Sequence, residues 1–195
     1  MPGEIPAIGQ FKVTLEQFHA LRDERPKEEK WELIDGVAVM MPPPSLVHQR
    51  ISSQIFVMLN SRLKKVKPEW RADIEIGVLL PKDEKFNPEP DVTVIDTDVE
   101  LEQLYATRFY FVAEVLSTSD RKGVLAAKLG YYQAHPNCVG VLFVRQDRIE
   151  AELHVRQEGW SSRTLAARDD RIDIPVIGDI GRLADLYQFT PLANI

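Results

Sequence analysis

One cysteine, Cys138, stands in a chain of 195 residues. A lone cysteine excludes an intramolecular disulfide framework and a cysteine-based zinc cluster, and it fits a reducing cytoplasm. Cys138 itself reads as a small core residue. No stretch approaches the roughly 18 apolar residues of a membrane span. The opening MPGEIPAIGQFKV has neither a basic start nor a long apolar segment, so a soluble cytoplasmic protein with no membrane partner is expected. Basic charge is also in short supply. With 24 Lys and Arg against 30 Asp and Glu the net charge is −6, which argues against non-specific coating of nucleic acid. A nucleic-acid enzyme then requires a local basic patch or bound cations. Internal repeats, low-complexity segments and domain linkers are absent from the sequence as well. What is present is a 44% hydrophobic composition, enough for a core, and the reading is a single domain over residues 1–195 with residues 1–28 as a helical extension.

Thr14 and Gln17 have the form of a capping box, and Leu15, Phe18 and Leu21 follow at helical spacing, so LEQFHALRDE reads as a short amphipathic helix. WELIDGVAVMM reads as two strands turning at Asp35-Gly36, ended by Pro42, Pro43 and Pro44. Ser45 is a good N-cap, and Val47, Ile51, Ile55, Met58, Leu59 and Leu63 mark one apolar face of a helix running to about Lys65. The basic run RLKKVKPEWR at its end could bind phosphate, but it reads as a solvated helix end that complements the dipole. WRADIEIGVLL predicts a strand, PKDEKFNPEP a polar loop, and DVTVID a strand beginning at Asp91. DRKGVLAAKLGYYQAHP predicts a helix ended by Pro136, with Tyr131 and Tyr132 as core or rim aromatics, and CVGVLFV an apolar strand. RIEAELHVRQ, SSRTLAA and RIDIPVI suggest an antiparallel extension, and GRLADLYQF a closing helix. This order is that of an α/β or α+β arrangement about a mixed sheet.

FYFVAEVLSTSD, residues 109–120, has the near-continuous hydrophobicity of a central strand interrupted by one carboxylate, Glu114. Burying it costs several kcal/mol unless a cation, a metal or a donor network meets it. Asp91, at the start of a strand after a proline, is the first candidate partner. If the two strands are neighbours, a hard cation is the simplest reason for two adjacent carboxylates, and Mg²⁺ characteristically takes one or two carboxylates, waters and phosphate oxygens. The second is Lys128, fourteen residues beyond Glu114, on the following helix. Lys122 is nearer in sequence but reads as solvent-facing. A structural ion pair is the alternative for Glu114, and a backbone-bonded turn residue the alternative for Asp91.

The ordered set WELIDGVAVM, PPPSLVH, PDVTVID, AEVLS and KLGYY resembles the Uma family of restriction-endonuclease-like proteins, within the PD-(D/E)XK nuclease superfamily, over about Glu29 to Leu192. The resemblance implies a mixed sheet flanked by helices, with Asp91 and Glu114, together with the carbonyl of Val115, binding Mg²⁺ or Mn²⁺. It implies DNA as substrate, hydrolysed at its phosphodiester bonds, and such folds often pair as dimers to cut two strands. The superfamily's usual lysine position holds Leu116 here, and the family resemblance points to Lys128 instead. Glu32, in ELIDG, becomes a third acid of the site. His48, in PPSLVH, is a further polar member that could accept a hydrogen bond from Lys128, contact substrate or merely occupy a helix end. The chain departs from the pattern at Thr118 and Val124, neither of which is a proposed ligand. A non-catalytic DNA- or protein-binding module that keeps the nuclease fold is the rival reading, and hydrolysis of another phosphate compound a third.

Overall fold

A strand as apolar as residues 111–116 is stable where both of its faces are covered, and the chain supplies a helical layer for each. In a computed structural model of the protein, the described residues are 10–118 and 122–194. The predicted helix starting at Asp120 therefore has its first two residues, and the segment STSD its last two, outside the described residues.

Strand β1 (Gln10–Lys12) precedes α1 (Leu15–Asp23), whose capping box forms: Gln17 N donates to Thr14 Oγ1 at 3.2 Å and Thr14 N to Gln17 Oε1 at 3.0 Å. β2 (Lys30–Ile34) and β3 (Val37–Met41) make the hairpin, with Asp35 and Gly36 at φ 50° and 73°. Two consecutive left-handed residues match the right-handed twist of the flanking strands, the reason Asp-Gly marks such turns. β1 pairs with the free side of β3. The extension expected to be helical over 1–28 thus also contains a strand, because β3 offers an unpaired edge; residues 1–9 lie outside the described residues.

Helix α2 (Leu46–Val66) begins where Ser45 Oγ accepts from His48 N at 3.1 Å. Ile51, Ile55, Leu59 and Leu63, spaced by four, are fully buried, and each contributes roughly 1.5–3 kcal/mol by leaving water. The chain continues through β4 (Trp70–Ile74), β5 (Gly77–Val78), β6 (Val92–Asp96), β7 (Tyr105–Ala106) and β8 (Phe111–Leu116). After α3 (Lys122–Ala134) come β9 (Gly140–Arg145), β10 (Ala151–Val155), β11 (Ser162–Leu165), β12 (Arg171–Ile174), β13 (Gly178–Arg182) and α4 (Leu183–Leu186). The central sheet runs β11-β10-β9-β8-β6-β4, with β8 and β9 parallel and the other neighbours antiparallel. Phe111, Ala113 and Val115 share a core with Ile51, Ile55 and Leu59 of α2. Val112 and Leu116, on the opposite face, pack with Tyr131 and Tyr132 of α3. Period-two alternation therefore aims Glu114 towards α3.

Two expectations change. WRADIEIGVLL is not one strand: Glu75, at φ 51°, turns the chain, so β4 joins the central sheet while β5 pairs with β7. The closing helix over GRLADLYQF shrinks to the single turn of α4, because its first residues belong to β13, paired with β12. Gly181 there sits at φ 146°, where an added Cβ would lie 2.4 Å from Met58 Cε. Cys138 is fully buried, as expected for a core thiol, and burial pushes it up to about 12. Among the described residues no helix is long and apolar enough to cross a membrane.

Candidate active site

Antiparallel pairing of β6 with β8 places Val92 opposite Ala113, so Asp91, the residue before β6, falls beside Glu114 within β8. Both line a cavity of about 310 Å³ with Lys30, Glu32, His48 and Lys128. β2 contributes Lys30 and Glu32, α2 contributes His48 from its first turn, and α3 contributes Lys128 from its buried face. Val115 and Gln146 also line it.

Asp91 is held from two sides. Its Oδ2 accepts the Val115 N–H at 2.6 Å and its Oδ1 meets His48 Nε2 at 2.9 Å, with Lys30 Nζ at 4.0 Å. Burial opposes its ionisation, but His48, Lys30 and the Val115 amide outweigh burial and hold its pKa below the usual aspartate value. His48 is therefore Asp91's partner rather than an acceptor for Lys128. The reason is position: at the start of α2 its imidazole faces the end of β6, while Lys128 approaches from α3.

Lys128, 3% exposed along its side chain, is the cation that the buried Glu114 requires: Nζ lies 2.6 Å from Glu114 Oε1 and 3.2 Å from each oxygen of Glu32. Glu32 Oε1 also accepts the Glu89 N–H at 2.9 Å. Burial disfavours the charge on Lys128, yet Glu114 and Glu32 together keep its pKa above the ordinary lysine range. Burial also dominates at Glu114 and, with repulsion from Glu32 and Asp91, pushes it up to about 7 against the pull of Lys128. Lys122, by contrast, is exposed, as its sequence position predicted.

All five polar side chains named from the sequence, Glu32, His48, Asp91, Glu114 and Lys128, thus meet in one cavity. Lys30 and Tyr132 join them without having been singled out from the sequence as site residues. Lys30 sits 3.8 Å from Glu75 and 4.0 Å from Asp91; its place two residues before Glu32 on one strand was the available signal, since such residues share a face. Tyr132, read as a packing aromatic, donates its hydroxyl to Glu114 Oε1 at 2.6 Å, and its spacing of four from Lys128 on a helix was the available signal.

Glu32, Glu75, Asp91 and Glu114 line the cavity with Lys30 and Lys128, an excess of carboxylate that a hard divalent cation would offset. Among the described residues no three His, Cys, Asp or Glu side chains form a metal-holding group. Two carboxylates completed by waters and phosphate oxygens are the pattern Mg²⁺ accepts.

Comparison with known proteins bears on the fold and the family. A crystal structure of a "putative nuclease belonging to DUF820" from Anabaena variabilis ATCC 29413 superposes with a TM-score of 0.72 at 18% identity, covering 90% of this chain and 97% of that one. At that identity the likeness shows the fold: a central mixed sheet flanked by helices. Curated proteins give no match. The family Uma2, described as "Putative restriction endonuclease", matches residues 15–182. That span runs from the first turn of α1 to the end of β13 and includes every residue of the cavity, so the chain belongs to the Uma2 restriction-endonuclease-like family.

Proposed function

We propose that the protein is a divalent-metal-dependent nuclease that hydrolyses DNA phosphodiester bonds, with the reaction centred on Asp91, Glu114 and Lys128. The observation that carries this reading is the meeting of Asp91 and Glu114 on neighbouring strands with a buried lysine beside them. Asp91 and Glu114, with the Val115 carbonyl, would hold Mg²⁺ or Mn²⁺. When bound, such a cation polarises a phosphate oxygen and lowers the pKa of water.

The chain's own residues have separable roles. His48 and the Val115 amide fix the Asp91 carboxylate and keep it ionised. Glu32, anchored by the Glu89 amide, holds the Lys128 ammonium in place and charged. Lys128 then supplies positive charge where a phosphate gains negative charge, and can orient a water against it. Lys30, at the cavity mouth, offers a second cation for a neighbouring phosphate. With four carboxylates against Lys30 and Lys128 in the cavity, the local attraction that a net charge of −6 makes necessary would come from the bound cation.

The test is cleavage of plasmid and single-stranded DNA with Mg²⁺ or Mn²⁺ by the wild type, Asp91→Asn and Glu114→Gln. Cleavage should require the cation and fall at least about a hundredfold in each variant. Nicked against linear plasmid reports single against paired cuts, and hence whether a dimer acts. Unchanged cleavage in both variants would reject the site. DNA binding without cleavage in the wild type would favour the rival reading, a binding module on a nuclease fold, for which Leu116 at the superfamily's usual lysine position is the supporting observation.

A further inference from the structure

Tyr131 and Tyr132 are adjacent on α3, yet their hydroxyls do different things. Tyr131 receives the Leu80 N–H at 2.7 Å and donates to the Val78 carbonyl at 3.3 Å, tying α3 to the backbone of β5 and the residues after it. Tyr132, fully buried, reaches Glu114 Oε1 at 2.6 Å, the same oxygen that Lys128 Nζ contacts at 2.6 Å. A buried hydroxyl needs a partner, but a backbone carbonyl would satisfy it, as one does for Tyr131. The Tyr132 ring is fixed edge-on to Phe109, at 6.2 Å and 89°, and to Tyr131, at 6.1 Å and 67°. The hydroxyl is thus presented to Glu114 by a rigid aromatic wall.

We infer that Tyr132 is a positioning residue for Glu114: it keeps Oε1 occupied so that the carboxylate holds its orientation when Lys128 turns from Glu114 towards a phosphate. Without Tyr132, engagement of Lys128 by substrate would strip Oε1 of both short contacts and leave a buried carboxylate free to rotate. With it, Glu114 keeps one donor throughout, and the carboxylate stays oriented for a cation. This assignment rests on the metal-dependent reading proposed above.

Mn²⁺ binding by calorimetry on the wild type and Tyr132→Phe, each with and without an uncleavable phosphorothioate DNA to engage Lys128, tests it, because the variant keeps the ring and removes the hydroxyl alone. With that DNA bound, affinity should fall about tenfold or more, the usual cost of losing a hydrogen bond to a metal ligand, and by less without it, while Lys128 still holds Oε1. The Mn²⁺ concentration giving half-maximal cleavage should rise by the same factor, with saturating Mn²⁺ restoring most of kcat. Unchanged Mn²⁺ affinity alongside a lowered melting temperature would show a packing role and overturn the assignment while leaving the nuclease reading intact. No Mn²⁺ binding by the wild type would remove the reading and the assignment together. Should Tyr132→Phe fail to fold, the hydroxyl proton resonance of Tyr132 in the wild type replaces it: a shift on adding Mg²⁺ supports the assignment, and an unmoved resonance overturns it.

Discussion

Phe111, Ala113 and Val115 leave β8 towards α2 and pack with Ile51, Ile55 and Leu59, whereas Val112, Glu114 and Leu116 leave the other face of the same strand towards α3. On the α2 side the strand is held by apolar burial, which is non-directional and tolerant of small shifts. On the α3 side a carboxylate is held by Lys128 and Tyr132 in contacts of 2.6 Å, which are directional and fail if one partner is lost. The comparison teaches a division of labour. A strand fixed firmly on one face can carry a costly charge on the other, and that charge faces the cavity.

Removing the cation from the polar face has the largest expected effect. Lys128→Met leaves Glu114 and Glu32 buried without their shared partner and should destabilise the fold by about 3–5 kcal/mol, measured by urea unfolding. Adding Glu114→Gln in the same chain should recover part of that loss; no recovery would show that the two side chains do not act as a pair. On the apolar face, Leu59→Ala should cost about 2–5 kcal/mol through the cavity it leaves, while Mn²⁺ affinity stays within about twofold, since additivity holds for sites without shared partners. A matching loss of metal affinity would break the division between the faces.

The pH dependence of stability sharpens it further. Glu114 is raised to about 7 from an ordinary 4.5, so protonation favours the folded state. Its contribution is fully present below the unfolded value and is lost as pH rises through about 7. Without added metal, the melting temperature of the wild type should therefore slope downward across that window, and Glu114→Gln should flatten the slope. Equal slopes would show that Glu114 carries no such shift. The smallest effect expected is that of Ser45→Ala, which removes the N-cap of α2 and the 2.7 Å contact to Gln146. It should cost about 1 kcal/mol by thermal melting.

Much of this arrangement was legible in the residues themselves. Asp35-Gly36 requires a left-handed turn and forms one; Ser45 caps α2; a lone acid in an apolar strand demanded a partner, and Lys128 is there. What local pattern left open was which atom meets which. His48 could be placed in the first turn of a helix, but its contact with Asp91 depends on how α2 crosses β6. Tyr132 looked like packing because its ring does pack, and only its hydroxyl reaches the site. Glu75 gave no sign of its left-handed backbone, since a glutamate rarely adopts one, so the break between β4 and β5 could not be read from a run of strand-forming residues. Lys30 lies beside an acid motif whose carboxylates are distant in sequence, and its contact with Asp91 arises through the sheet packing.

The most direct measurement of the central claim is anomalous diffraction from crystals of the protein grown with Mn²⁺. The account predicts an anomalous peak in the cavity, coordinated by oxygens of Asp91 and Glu114 and absent from crystals of the Asp91→Asn, Glu114→Gln double variant. A peak coordinated elsewhere, or none at saturating Mn²⁺, would contradict it.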